Sequence, residues 1–224
     1  VSLEGIALAE ALNYPPGLAM AQVYACGVHG FCGDWATVRE LAEATLEISE
    51  EHGLPYWYTA GLVNRGRALV HQGEVEAGIA SIGRGIDDSR EMGAEAFTVL
   101  QLTMLAEACL EAELAREGLT AAEEALEIAR RTGEHFFAPE AWRLKGECLS
   151  KTGQQEAEGS DAVAGEALAA CRRAMELARE QQARSLELRA AISLRRLETE
   201  QRRRADSDRL LAVLYHSFDE GHDT

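Results

Sequence analysis

One helix stop recurs at a fixed interval, and few folds can accommodate that. "SEEHGLPYWY" (49–58), "SREMGAEAF" (89–97) and "ARRTGEHFF" (129–137) each close a helical run at a glycine: Gly53, Gly93 and Gly133, spaced by 40 residues. Forty residues before Gly53 stands Asn13, in "AEALNYPPG". Glycine and asparagine are the residues that most readily take the left-handed conformation closing an α-helix. A stop repeated at constant spacing predicts an array of short helical units, each burying its apolar face against its neighbours.

A second series interleaves with the first. Gly33, Gly73 and Gly153 share one phase, with Glu113 at the intervening step, and each follows one helical run and precedes another. The unit reads as helix A, short turn, helix B, short turn. In "EGLTAAEEALEIARRTG", Leu119, Ala122, Leu126 and Ala129 recur at three and four residues, while Glu123, Glu124 and Glu127 take the opposite face. That is the stripe of an amphipathic helix; Leu41, Ala44 and Ile48 repeat it. No period-2 run of β-branched residues stands between turn dipeptides.

The expected fold is therefore all-α, a right-handed α-solenoid of antiparallel helix pairs with repeats of about 40 residues. Residues 1–13 read as the end of a preceding helix B. Full repeats follow at 14–53, 54–93, 94–133 and 134–183, then a final repeat at 184–218 and a polar tail at 219–224. The fourth repeat is longer: the counterpart of Gly133 is Gln182, and the excess falls in "QQEAEGSDAVAGEA" (154–167), which reads as an inserted loop. Trp57, Phe97 and Phe137 lie 40 residues apart, each four past a stop. They are expected in the first turn of each helix A, wedged against the preceding helix B, so that Asn13, Gly53, Gly93, Gly133 and these three aromatics form the joints of the array. Pro55 and Pro139 suit those helix starts, where a missing N–H costs nothing.

Composition excludes several classes. No apolar run approaches the roughly 18 residues of a membrane span, and no charged-then-apolar leader opens the chain, so a cytoplasmic location is expected. The chain opens at Val1 within a helical pattern and reads as part of a longer protein. The net charge of −16 argues against nucleic-acid binding. Residues 1–170 hold 28 acidic and 11 basic side chains, and residues 171–224 hold 10 and 11. The basic run "RRLETEQRRR" (195–204) reads first as a solvated helix face and second as a phosphate-binding patch. Cys26, Cys32, Cys109, Cys148 and Cys171 lack metal-ligand spacing and read as small buried hydrophobes. No phosphate-binding GxxxxGK[ST] loop and no HExxH occurs; "IGRGID" lacks both the third glycine and the preceding strand of a dinucleotide loop. Neither an enzyme nor a cofactor or metal site is expected.

The spacing inside each unit carries a resemblance. In "LVNRGRALVHQGEVEAGI", Gly66 precedes Gly73 by seven residues and Gly78 follows by five; Gly146 and Gly153 repeat the seven, and Ala125-Leu126 and Ala174-Met175 form a later pair. This resembles the tetratricopeptide repeat, in longer form. "GLPYWY", "MLAEACLEAELAREGL", "ALEIARRTGEHFFAPEAWRLKGECL", "ARSLELRAAISLRRL" and "DRLLAVLYHSFDEGHDT" look like the C-terminal array of bacterial regulators in which tetratricopeptide repeats follow an ATPase module. In those regulators an adenylate/guanylate cyclase or DNA-binding domain often stands at the N-terminus. The chain departs from that pattern at Glu113 and Arg202, where the family usually has glycine, and it contains none of the ATPase or cyclase residues.

The resemblance implies a binding scaffold whose A helices line a concave face. Counting from the small residue in the middle of each helix A assigns that face to Val23 and Phe31 in the first repeat and to Val63, Arg67 and His71 in the second, with Asn64 adjacent. It assigns Thr103, Glu107 and Glu111 to the third, Arg143, Glu147 and Lys151 to the fourth, and Ile192 and Arg196 to the fifth. The expected partner is a peptide or protein, or the ATPase module of the same parent. An effector-binding sensor and a structural spacer are the alternatives. The pairs Arg67/His71 and Glu147/Lys151, four residues apart, also fit ordinary surface contacts.

Overall fold

A computed structural model of the chain describes residues 2–94, 97–155, 161–200 and 215. Ten α-helices and no strand occur among the described residues: α1 (Ser2–Ala11), α2 (Pro15–Phe31), α3 (Trp35–Glu51), α4 (Pro55–His71), α5 (Val75–Glu91), α6 (Thr98–Glu111), α7 (Ala115–Thr132), α8 (Ala138–Gln155), α9 (Asp161–Glu180) and α10 (Arg184–Glu200). The chain divides into two compact units, Val1–Glu111 and Ala112–Thr224. Apart from Tyr215, the part of the expected final repeat beyond residue 200, with Arg202 to Arg204, and the tail (219–224) lie outside the described residues.

The stops are the framework. Backbone φ is positive at residues 13, 33, 53, 73, 93, 113 and 133, one left-handed residue every twenty, and again at Gln182. At most of them the next amide reaches back five residues. Tyr14 donates to the Ala9 carbonyl, Asp34 to His29, Leu54 to Ser49, Glu74 to Leu69, Ala94 to Ser89 and Ala183 to Ala178, all at 2.8–3.1 Å. These bonds satisfy carbonyls that the ended helix leaves unpaired. Starts are equally local. Pro15 and Pro55 open α2 and α4, and the Asp34 carboxylate accepts the Thr37 amide at 3.3 Å to cap α3.

Glu113 holds this conformation without glycine, at φ 60°. A left-handed residue with a Cβ costs about 1–2 kcal/mol. Glu113→Gly is therefore expected to stabilise the chain by about 1 kcal/mol, read as a rise in the thermal unfolding midpoint. An unchanged or lower midpoint would contradict the strain argument.

The first unit is three helix pairs in register. α4 is the central helix and packs on α2, α3, α5 and α6; α2 packs on α1 and α3. Cys26, Val38, Ala42 and Ala68 form a core cluster, with Trp35 and Leu41 packed against it. The second unit sets α8 against α7, α9 and α10, and α9 against α10; Ala167, Leu168, Cys171, Leu194 and Leu197 form its cluster. Within a pair, the helices approach where side chains are short. A Cβ on Gly66 would fall 2.5 Å from the Gly78 carbonyl oxygen, and one on Gly78 would fall 2.6 Å from that of Gly66.

Three sequence expectations need correction. Gly153 is not a stop: α8 runs through it to Gln155. The loop expected across 154–167 is shorter than read, because α9 begins at Asp161 and includes Gly165; a polar, glycine-containing run at a helix start resembles a loop in composition. Of the aromatics, only Trp57 lies inside its helix, half-buried and edge-on to Tyr56. Phe137 precedes α8 and meets Phe136 edge-on, whereas Phe97 has left-handed backbone and is exposed before α6. Hence the expected buried wedge does not hold for Phe97.

Candidate functional site

In the first unit, equivalent positions of successive A helices line up because the repeat is regular. Arg67 of α4 reaches one repeat forward to Glu107 of α6, with Nη2 at 3.2 Å from Oε2. Its guanidinium also lies over the Trp35 ring, 5.3 Å from the centroid, within cation–π range. His71, one turn on, stacks on the same indole at 3.7 Å between centroids and 8° between planes. Gly30 of α2 makes room: a Cβ there would stand 3.4 Å from Arg67 Nη1 and 3.5 Å from the Trp35 ring. Around this core, His29 Nδ1 meets Asp34 at 3.0 Å. Hydrogen bonds from Thr37 first, and from His29 next, hold the Asp34 carboxyl below its usual range.

The expected binding residues of this unit separate into three groups. Val63, Asn64 and Thr103 are buried. Asn64 Nδ2 donates to the Ala60 carbonyl at 3.0 Å and Thr103 Oγ1 to that of Leu100 at 2.7 Å, while the Asn64 Oδ1 is buried without a partner. Arg67, His71 and Glu107 belong to the aromatic–ionic cluster. Phe31 and Glu111 are exposed and Val23 is half-buried. The reading of Arg67/His71 as an ordinary surface pair gives way to a shared stack on Trp35, a residue the sequence reading did not single out. Its signal was its place directly after the capping Asp34, on the turn that faces the end of the next A helix.

Burial lowers the His71 pKa below its ordinary value of 6.5, against the opposing pull of Glu111 and Glu107. Well above pH 6.5 the imidazole is neutral both folded and unfolded, and the stack contributes in full. As pH falls through 6.5, the unfolded chain takes up the proton first, so stability declines until the lower folded value is passed. Between about pH 7.5 and 5.5 the unfolding midpoint is expected to fall more for the native chain than for His71→Gln. Equal slopes would remove His71 from the pH response.

The second unit carries a denser network. Arg143 of α8 grips Glu140 with two bonds, Nη2 to Oε1 at 2.6 Å and Nε to Oε2 at 3.0 Å. Its Nη1 meets Glu147 at 3.0 Å and the Ser193 hydroxyl of α10 at 3.3 Å. Ser193 in turn donates to Glu147. From α10, Arg189 reaches Glu140 at 2.9 Å and Arg196 reaches Glu147 at 3.8 Å. Of the expected residues, Arg143 is buried and Glu147 is largely covered, whereas Lys151, Ile192 and Arg196 are exposed. Glu147 thus pairs with Arg143, and not with Lys151 as the i,i+4 spacing suggested. The network ties α8 to α10 and sets their register.

Four of the five cysteines are buried, and Cys32, expected to be buried, is exposed. Burial pushes the Cys26 and Cys171 thiols up to about 12, so neither supplies a thiolate nucleophile near neutral pH. Among the described residues, no group of three or more His, Cys, Asp or Glu side chains could hold a metal ion, and no helix is long and apolar enough to cross a membrane.

Solved structures share this architecture. The TPR-like repeats of a Podosopora anserina protein described as a kinesin light chain match with TM-score 0.61 and 15% identity, covering 91% of this chain and 95% of that one. A variant of the same protein matches with TM-score 0.61 and 15% identity over 88% of this chain and 92% of that one. BtubC (BKLC) from P. vanneervenii matches with TM-score 0.70 and 13% identity, over 100% of this chain and 91% of that one. No protein-family model and no curated protein matches the chain. At these identities the likeness establishes the fold, a TPR-like helical repeat.

Proposed function

We propose that this chain is a protein-interaction scaffold that holds an extended segment of a partner along the faces of its A helices. The observation that carries the reading is the change of character along the first unit. Exposed Phe31 stands at one end, the half-buried His71 stack lies between, and Glu107 and exposed Glu111 follow on the next A helix. An apolar anchor followed by carboxylates suits a segment with a large apolar side chain and nearby basic residues. The polar part of the face is held in place by bonds within the chain, so little ordering is left to oppose binding. In the second unit the exposed Lys151, Ile192 and Arg196 supply a face of opposite charge.

The resemblance to bacterial regulators supports a finer reading, in which the chain is the regulatory C-terminal part of a cytoplasmic signalling ATPase or cyclase and its partner is that protein's own ATPase module or another protein. The test is a binding survey with peptides that pair one large apolar residue with one to three lysines. Phe31→Ala and Glu111→Lys are expected to weaken the bound peptides about tenfold or more, and added salt to weaken them further. A substitution on α3, Glu43→Lys, is the control. If both A-helix variants bind as the native chain does, this face is not the binding surface.

A further inference from the structure

The A-helix face of the first unit holds one titratable ring set among fixed charges. Trp35 covers one side of the His71 imidazole, 3.7 Å away and 8° from parallel. The stack fixes the plane of the ring and leaves its nitrogens at the edge. Arg67, one turn back on α4, lies over the same indole and meets Glu107 of α6 at 3.2 Å. Glu111 follows one turn on along α6 and is exposed. α2 has no Asp, Glu, Lys or Arg, and its His29 meets the Asp34 carboxylate at 3.0 Å. On α3, Arg39 meets Glu74, in the turn after α4, at 2.8 Å. Burial holds the His71 pKa below 6.5, while Glu111 and then Glu107 pull it up and Arg67 pushes it down.

The charges at this spot do not balance. Arg67 engages Glu107, and both side chains are largely covered. Glu111 adds a second carboxylate beside an imidazole that is neutral at pH 7. A cationic side chain of a partner is drawn to that carboxylate, and the same carboxylate stabilises a proton on His71. Two positive charges within about 4–6 Å of each other disfavour one another, so Glu111 serves one of them at a time. We propose that one lysine or arginine of the partner segment seats against Glu111 beside the neutral His71 ring, and that a proton on His71 competes with it, so that acidification releases the segment. This rests on the scaffold reading above and adds the seat of the basic residue and its regulation. Linkage fixes the sign. A cation that prefers the neutral ring lowers the His71 pKa, and affinity is full above pH 6.5 and falls as the ring takes up its proton. One proton changes affinity by at most about tenfold per pH unit.

The probe is a Gly-Ser peptide with blocked ends that carries one phenylalanine and two lysines and has no histidine or carboxylate. Its affinity for the full chain is measured by fluorescence anisotropy from pH 7.5 to 5.5 at constant ionic strength. The native chain is expected to bind about threefold or more weakly at pH 5.5 than at pH 7.5, and His71→Gln to bind equally across the series. A second measurement needs no variant to fold. In the proton NMR spectrum of the native chain, saturating lysine peptide moves the titration of His71 to lower pH, and the same peptide with both lysines acetylated leaves it in place. Three results overturn the inference and leave the scaffold reading standing, because the peptide is bound in each. They are an affinity indifferent to pH, a slope that survives in His71→Gln and so assigns the proton elsewhere, and a His71 titration that the lysine peptide does not move. Absence of binding at every pH removes the scaffold reading and this inference together.

Discussion

Arg143→Met is expected to lower the stability of the second unit by about 3 kcal/mol. The substitution keeps side-chain volume but leaves the covered Glu140 and Glu147 carboxylates without the cation between them. Breaking a buried ion pair from one side costs about 3–5 kcal/mol, because the remaining charge stays out of water without compensation. Arg189 and Arg196 still approach the two carboxylates, which places the expected loss at the lower end. Removing the charge as well, in Arg143→Met with Glu140→Gln, should restore part of it, since a buried pair replaced by neutral groups of similar shape is often close to neutral. Urea unfolding with hydrogen exchange on α8 and α10 reads both variants. A loss below about 1 kcal/mol for Arg143→Met would show a pair of surface strength, and strict additivity in the double variant would mean that the two side chains act independently.

Gly66→Ala should destabilise the first unit by about 2–3 kcal/mol, although alanine is the better helix former by about 1 kcal/mol. The added carbon would lie 2.5 Å from the Gly78 carbonyl oxygen, 2.6 Å from Ile82 Cγ1 and 2.9 Å from the Ile82 amide nitrogen. Two of these three neighbours are backbone, so α4 and α5 must separate, and rotating a side chain cannot relieve the clash. Gly83→Ala is the matched control. It lies in the middle of α5, with nothing within 4 Å of the added carbon, and should gain up to about 1 kcal/mol. Midpoints that move in the same direction for both would show that helix propensity, and not the approach of the two helices, governs these glycines.

The legible part of the fold was the part written in local conformation. Gly53 and Gly93 stand where a left-handed residue closes a helix, and the hydrogen bonds that follow involve only residues five apart. The period could be counted for the same reason. The reading failed where composition and conformation part company. Phe97 takes left-handed backbone that its residue type disfavours, directly before α6. Conversely, Gly153 and Gly165 look like breaks and lie inside helices, where packing outweighs a propensity deficit of about 1 kcal/mol.

Less of the candidate site could be read. Helical phase put Phe31, Arg67, His71, Glu107 and Glu111 on neighbouring A helices, and the fold brings the middle three together. Phase alone could not separate an open position from one tilted a few tens of degrees toward a packed helix, where Val63, Asn64 and Thr103 are buried. Trp35, which holds Arg67 and His71, comes from helix B of the preceding repeat, 32 residues before Arg67, and the Arg143 network joins side chains 50 residues apart.

By itself, then, the sequence determined the repeat and where most of its helices end, because those outcomes rest on backbone dihedrals within a few residues. Only the tertiary structure decided which charges are buried and which partner each arginine takes. Those depend on distances between segments far apart in the chain, and on what packs beside each repeat.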